Sequence, residues 1–206
     1  MTPGSGGHQP PAGARGRGPL PTLNAGAGPG LLLVRTIGNW LNLSTPAGLA
    51  VAALGGARIR RGGRGVWLAE GYRYRFPTGG AFTIGTVITT ARPSFADLDR
   101  RIPGVLEHEE AHTWQYTYAC GLFYLPVYAA LMGWSWLRTG DRASANFFER
   151  QAGLAAGGYV EAPRRDVRDG MRAACALMRA RSGTLSRVAG RRCACADGTR
   201  GADGGA

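Results

Sequence analysis

From Thr113 to Leu137 the chain carries no charged side chain. A run of that length must pack inside a protein or meet a membrane, because water is a poor solvent for so much apolar surface. Its first part continues a helix-like segment, and Gln115, Gly121 and Pro126 interrupt it. Such breaks fit a folded element better than a spanning helix. Tyr118, Phe123, Tyr124, Tyr128, Trp134 and Trp136 suit a small protein's core and a membrane interface equally well. The expectation is a core element, with contact to a membrane surface left open.

The 206 residues suffice for one domain with a real core. Residues 1–30 and 183–206 are rich in Gly, Pro, Ala and Arg and poor in large hydrophobes. Such stretches cannot bury enough apolar surface to offset their conformational entropy, so both read as disordered tails. The expected folded domain is 31–162, followed by a basic amphipathic helix over 163–182.

Within the domain, residues 31–59 predict one or two short helices, with Ser44-Thr45-Pro46 supplying a cap and a first-turn proline. RIRRGGRG (58–65) predicts a basic turn. GVWLAEGYRYRF and GAFTIGTVITT predict two strands joined by a PTGG turn into a small antiparallel hairpin or sheet. Helix follows from Ser94, a plausible N-cap, with Pro103 as a kink or as the first turn of a second helix. Then come the apolar element and a ligand-bearing helix capped by Ser144 and closed at Gly157-Gly158. The fold class expected is α+β.

The net charge of +12 suggests nucleic acid at first sight. Its distribution argues otherwise: every basic residue is arginine, and from Pro163 onward ten Arg face four Asp with no aromatic residue among them to stack on bases. Nucleic acid is therefore not expected as a partner, whereas attraction to an anionic membrane surface is compatible with the charge. Cys120, Cys175, Cys193 and Cys195 match no zinc ribbon or redox spacing and read as free thiols. With no signal peptide evident, the expected setting is the cytoplasm, with membrane association open.

The chemistry lies in His108-Glu109-Glu110-Ala111-His112. On a helix, positions i and i+4 share a face, so both imidazoles can address one ion. Neutral imidazole is a good zinc ligand, and the glutamate after the first histidine can reach a water that zinc activates. The chain has one other histidine, His8, in a tail. A third ligand must therefore be a carboxylate. Glu149, on a helix beside Phe147 and Phe148, is preferred over Glu161, Asp97, Asp99 and Asp141; a surface pair with Arg150 or Arg142 is the competing role for it.

HEEAHTWQY, then GLFYLPVY, then NFFERQAGLAAGGY resembles a group of short, mostly uncharacterised bacterial zincin-like proteins, over about residues 36–160. The upstream AFTIGTVITT is similar to the strand that precedes their active helix. The resemblance implies a gluzincin arrangement: His108, His112 and Glu149 as zinc ligands and Glu109 as base. Helices of that arrangement often carry an acidic residue one turn after the third ligand, holding a histidine through its second nitrogen. Here that turn reads Ala152-Gly153, so the histidines must be held from elsewhere. Tyr116 and Tyr159 are candidate phenolic donors to a transition-state oxyanion, with packing as the alternative role for each.

The function expected is a zinc-dependent metallohydrolase, specifically a peptidase acting on peptide or protein substrates. AFTIGTVITT could hold an extended peptide along its edge. The alternative is a non-catalytic, membrane-associated protein whose HEEAH helix is structural or only binds metal.

Overall fold

A computed structural model describes residues 26–74 and 80–180. Both tails beyond those limits, Cys193, Cys195 and most of the PTGG turn lie outside the described residues.

Among the described residues, seven helices accompany a four-stranded mixed sheet, an α+β architecture. The helices are α1 (Pro29–Leu41), α2 (Ser44–Leu54), α3 (Phe95–Arg101), α4 (Val105–Tyr118), α5 (Tyr124–Thr139), α6 (Phe147–Ala152) and α7 (167–180). The strands are β1 (Arg58–Arg61), β2 (Trp67–Glu70), β3 (Ala81–Ile84) and β4 (Val87–Thr90).

The sheet differs from the expected hairpin in a physically simple way. AFTIGTVITT is two strands, β3 and β4, folded back on each other at Gly85-Thr86. Gly85 has φ 62°, a left-handed conformation that glycine adopts without steric cost. Thr45 receives the turn, its hydroxyl accepting from the Thr86 N–H at 3.2 Å. The basic RIRR segment is not a turn but β1, antiparallel to β2. β2 then runs parallel to β4, giving the order β1-β2-β4-β3. β3 is left at the edge.

Alternation along the strands divides the core. Leu68 and Ile88 face one side, packing with Val66, Phe95, Leu98 and Val105 beneath α3 and α4. Ala69 and Val87 face the other, against Ala52 of α2. Helices thus cover both faces of the sheet. Ser94 caps α3 as expected, its hydroxyl accepting from the Asp97 N–H. Pro103 stays outside the helices, and α4 starts after Gly104. Two other caps move: Asn42, not Ser44, accepts from the first N–H of α2, and Asn146, not Ser144, caps α6. α6 closes at Gly153, short of Gly157-Gly158.

The uncharged run is less buried than a core element. It continues α4, turns through 114°, and becomes α5. Of α5, only Tyr124 and Ser135 are fully buried. Tyr124 joins Tyr116 and Phe148 in a small aromatic core against which Tyr128 and Leu131 pack. Among the described residues no single helix is long and apolar enough to cross a membrane.

Candidate metal centre

α4 delivers the two histidines and α6 delivers Glu149, because α4 packs directly against α6. His108, His112 and Glu149 are all buried. Their ligand atoms lie within 4.8 Å of one another, so the three can hold a metal ion.

The hydrogen bonds behind the rings determine what faces that point. His108 Nδ1 is 3.0 Å from the Gly153 carbonyl oxygen, which can only accept, so Nδ1 carries the proton. His112 Nδ1 is 2.7 Å from Gln115 Oε1. The Gln115 amide cannot be reversed without loss, since its NH2 donates to the Phe148 carbonyl at 2.9 Å and to Gln151 at 3.1 Å. The Tyr124 hydroxyl also donates to Gln115 Oε1, at 3.0 Å. His112 Nδ1 is therefore protonated too. In their neutral form both rings then aim bare Nε2 lone pairs inward, 3.2 Å apart. Lone pairs at that separation repel unless a cation sits among them.

Glu149 completes the arrangement. Its Oε2 lies 3.2 Å from His108 Nε2 and, while that ring is neutral, has no hydrogen bond to accept. Its Oε1 is 3.7 Å from His112 Nε2 and accepts from the Tyr128 hydroxyl. An orphaned, buried carboxylate oxygen facing two nitrogen lone pairs is a donor set suited to a divalent ion. The competing role for Glu149 fails: the residue is 1% exposed, and Arg150 pairs with Glu161 instead.

Without a metal ion, the cluster draws a proton to the same point. Burial alone would lower the His108 pKa, but the Glu149 carboxylate and the Glu109 charge outweigh it and hold it above 6.5. Burial would likewise raise Glu149, but the two imidazoles and the Tyr128 hydroxyl hold it below 4.5. The cluster attracts positive charge.

Glu109 is buried beside this point but outside the ligand set. Thr83 on edge strand β3 donates a hydrogen bond to its carboxylate at 2.7 Å. A cavity of about 670 Å³ contains the whole constellation, with Phe82, Leu125 and Met132 among its apolar walls. Tyr116 and Tyr159 both line it. Tyr116 is fully buried, and its hydroxyl has no hydrogen-bond partner. Tyr159 is partly exposed, with its ring 5.9 Å from that of His108. Burial, with Glu149 and Glu109 nearby, pushes its phenol well up, so it stays a proton donor at neutral pH.

The other carboxylates considered as ligands are occupied elsewhere. Asp97 pairs with Arg100, Asp99 accepts from the Gly104 N–H, Asp141 caps the turn at Ala143 and Ser144, and Glu161 pairs with Arg150. Sequence reasoning missed Gln115, Tyr124, Tyr128, Thr83 and the Gly153 carbonyl. Only Gln115 left a signal: it sits three residues beyond His112 on the same helix.

No protein-family description matches this chain, and neither a curated protein nor a solved structure matches it.

Proposed function

We propose that this protein is a zinc-dependent metallohydrolase of the zincin type, acting on peptide or protein substrates. The observation that carries the reading is the pair of Nε2 lone pairs, each fixed by an acceptor behind its ring, converging on a buried and unsatisfied carboxylate. Two imidazoles and one carboxylate form a three-ligand set of the kind found at catalytic zinc, where one position stays open.

Zinc held by His108, His112 and Glu149 would supply Lewis acidity, bringing the pKa of a water toward roughly 7. The chain's own groups do the rest. Glu109 takes the proton from the attacking water, and Thr83 holds the carboxylate in position for it. Tyr159 is the favoured donor to the oxyanion, since its ring is the partly open one beside His108. Thr83 lies on an edge strand, so an extended peptide added to β3 would run past Glu109. Apolar cavity walls favour a hydrophobic substrate side chain.

The test is Glu109→Gln in the full chain, assayed on a peptide library after zinc loading. The variant keeps all three ligands and loses the base, so zinc content should stay at the wild-type level while cleavage disappears. A zinc-loaded wild type that cleaves nothing, or a variant that cleaves as well as wild type, defeats the peptidase reading.

A further inference from the structure

α1 is folded inside out. Its polar residues Arg35 and Asn39 are 0% exposed and face α4, while Leu33, Val34, Ile37 and Leu41 face outward. Arg35 donates to Glu110 at 2.7 Å, and Asn39 donates to the Thr113 carbonyl at 2.8 Å. A helix in water places these two sets of residues the other way round.

The outward face continues beyond α1. Gly121 approaches Asn42 so closely that a Cβ on it would stand 2.6 Å from the Asn42 side chain. That contact brings Leu41 and Leu43 beside the turn bearing Leu122 and Phe123. Leu41, Leu43 and Phe123 are 78%, 63% and 74% exposed. Leu43 has φ 63°, where glycine is the unstrained choice, yet a large apolar side chain stands there. Across residues 29–43 and 113–127 the only charged residue is the buried Arg35.

We propose that this face, α1 together with the turn over residues 118–127, rests on the surface of an anionic phospholipid bilayer. Four observations select that occupant. The face has no charged side chain, and a basic segment meets α1 at the edge of it: a Cβ on Gly65 would stand 2.7 Å from Thr36 Oγ1, and Arg58, Arg60 and Arg61, a few residues earlier, are exposed. An apolar surface with a basic flank is complementary to acidic headgroups over acyl chains. A two-fold contact of the face with a second copy would bring both copies' arginines to one interface and add like charge there. Residues 1–25 and 181–206 offer few large apolar side chains to match it: Met1, Leu20 and Leu23 in the first stretch, Leu185 and Val188 in the second. With a 114° bend between α4 and α5, no single helix among the described residues is long and apolar enough to cross a bilayer. This proposal is independent of the reading of the metal centre.

Flotation of the full-length chain with vesicles tests it. Vesicles of phosphatidylcholine with about 30% phosphatidylglycerol should carry the protein, and pure phosphatidylcholine should carry much less. Leu41→Glu with Phe123→Glu should weaken binding about tenfold or more, both side chains being exposed and outside the core. Hydrogen exchange on the wild type provides the same test without a substitution: anionic vesicles should slow exchange over 29–43 and 118–127. Absence of binding to either vesicle overturns the proposal. So does a double variant that binds as wild type, or vesicle protection confined to other segments. A wild-type dimer in sedimentation that the double substitution dissociates, without vesicle binding, would identify a self-interface and overturn it equally.

Discussion

The two long faces of α4 both bury polar groups, but they finish the job differently. Toward α1, Glu110 pairs with Arg35 and Arg64, Asn39 donates to the Thr113 carbonyl, and the Thr117 hydroxyl donates to Asn39. That network nearly closes on itself, with Arg35 Nε and the Nε1 of Trp114, whose ring Arg35 covers, left over. Toward α6, the Nδ1 sides of the histidines are satisfied, whereas the Nε2 lone pairs of the neutral rings and Glu149 Oε2 converge with no hydrogen among them. A closed network holds helices together. An open one of a single polarity, built as rigidly, is made for a ligand of the opposite charge.

The largest effect should come from breaking the closed face. Glu110→Ala leaves the fully buried Arg35 without its carboxylate, and removing one partner of such a pair costs about 3 kcal/mol or more. Urea unfolding should show this loss, while the fraction that remains folded keeps its zinc stoichiometry. A loss below about 0.5 kcal/mol would mean that the α1 contact is dispensable.

On the open face the smaller, sharper change is Gln115→Leu. It removes the acceptor that fixes the proton on His112 Nδ1, leaving the Tyr124 hydroxyl as the only neighbour. Zinc affinity should fall about 10- to 100-fold, the usual consequence of losing a group behind a ligand. Unchanged affinity in a competition titration with a chelator would show that the ring needs no such support.

Metal-free protein should reveal the open face through pH. Glu149, held below 4.5, contributes stability that is present above about pH 4.5 and lost as pH falls through its lowered value. His108, held above 6.5, contributes stability that is present below about pH 6.5 and lost as pH rises through its raised value. Thermal unfolding with chelator should therefore peak between these limits. Added zinc should remove the alkaline side of that fall. A chelated protein whose Tm keeps rising above pH 7 would contradict the assigned polarity.

The smallest effect belongs to a carboxylate on neither face. Glu70 accepts from the Phe95 N–H at 2.9 Å, at the start of α3, and pairs with half-exposed Arg60. Glu70→Gln should cost about 1 kcal/mol in urea unfolding and leave zinc binding untouched. A cost equal to that of Glu110→Ala would blur the distinction between a partner that is buried and one that is half in water.

How much of this was legible in the residues depended on pattern. The α+β class followed from β-branched runs beside helical ones. His108 and His112 stood out because i, i+4 spacing is a geometric statement in itself, and Glu149 followed from a shortage of other donors near large apolar neighbours. What was illegible is non-local or chemically ordinary. β2 pairs in parallel with β4 across a connection of more than ten residues, and no local signal distinguishes that from a hairpin. Gln115, Tyr124 and Tyr128 are common residue types whose role exists only once α4, α5 and α6 meet. That Leu33, Val34, Ile37 and Leu41 face outward was equally illegible, because apolar periodicity does not say which side the rest of the protein lies on.

Metal analysis of the purified full-length chain, expressed with ample zinc, tests the central claim most directly, with His112→Ala alongside. The wild type should hold close to one zinc per chain, and the variant, lacking one of three ligands, should hold almost none while still unfolding cooperatively. A folded wild type that binds no zinc, or a His112→Ala chain that binds as much as wild type, would contradict the claim that these lone pairs and Glu149 form a metal centre.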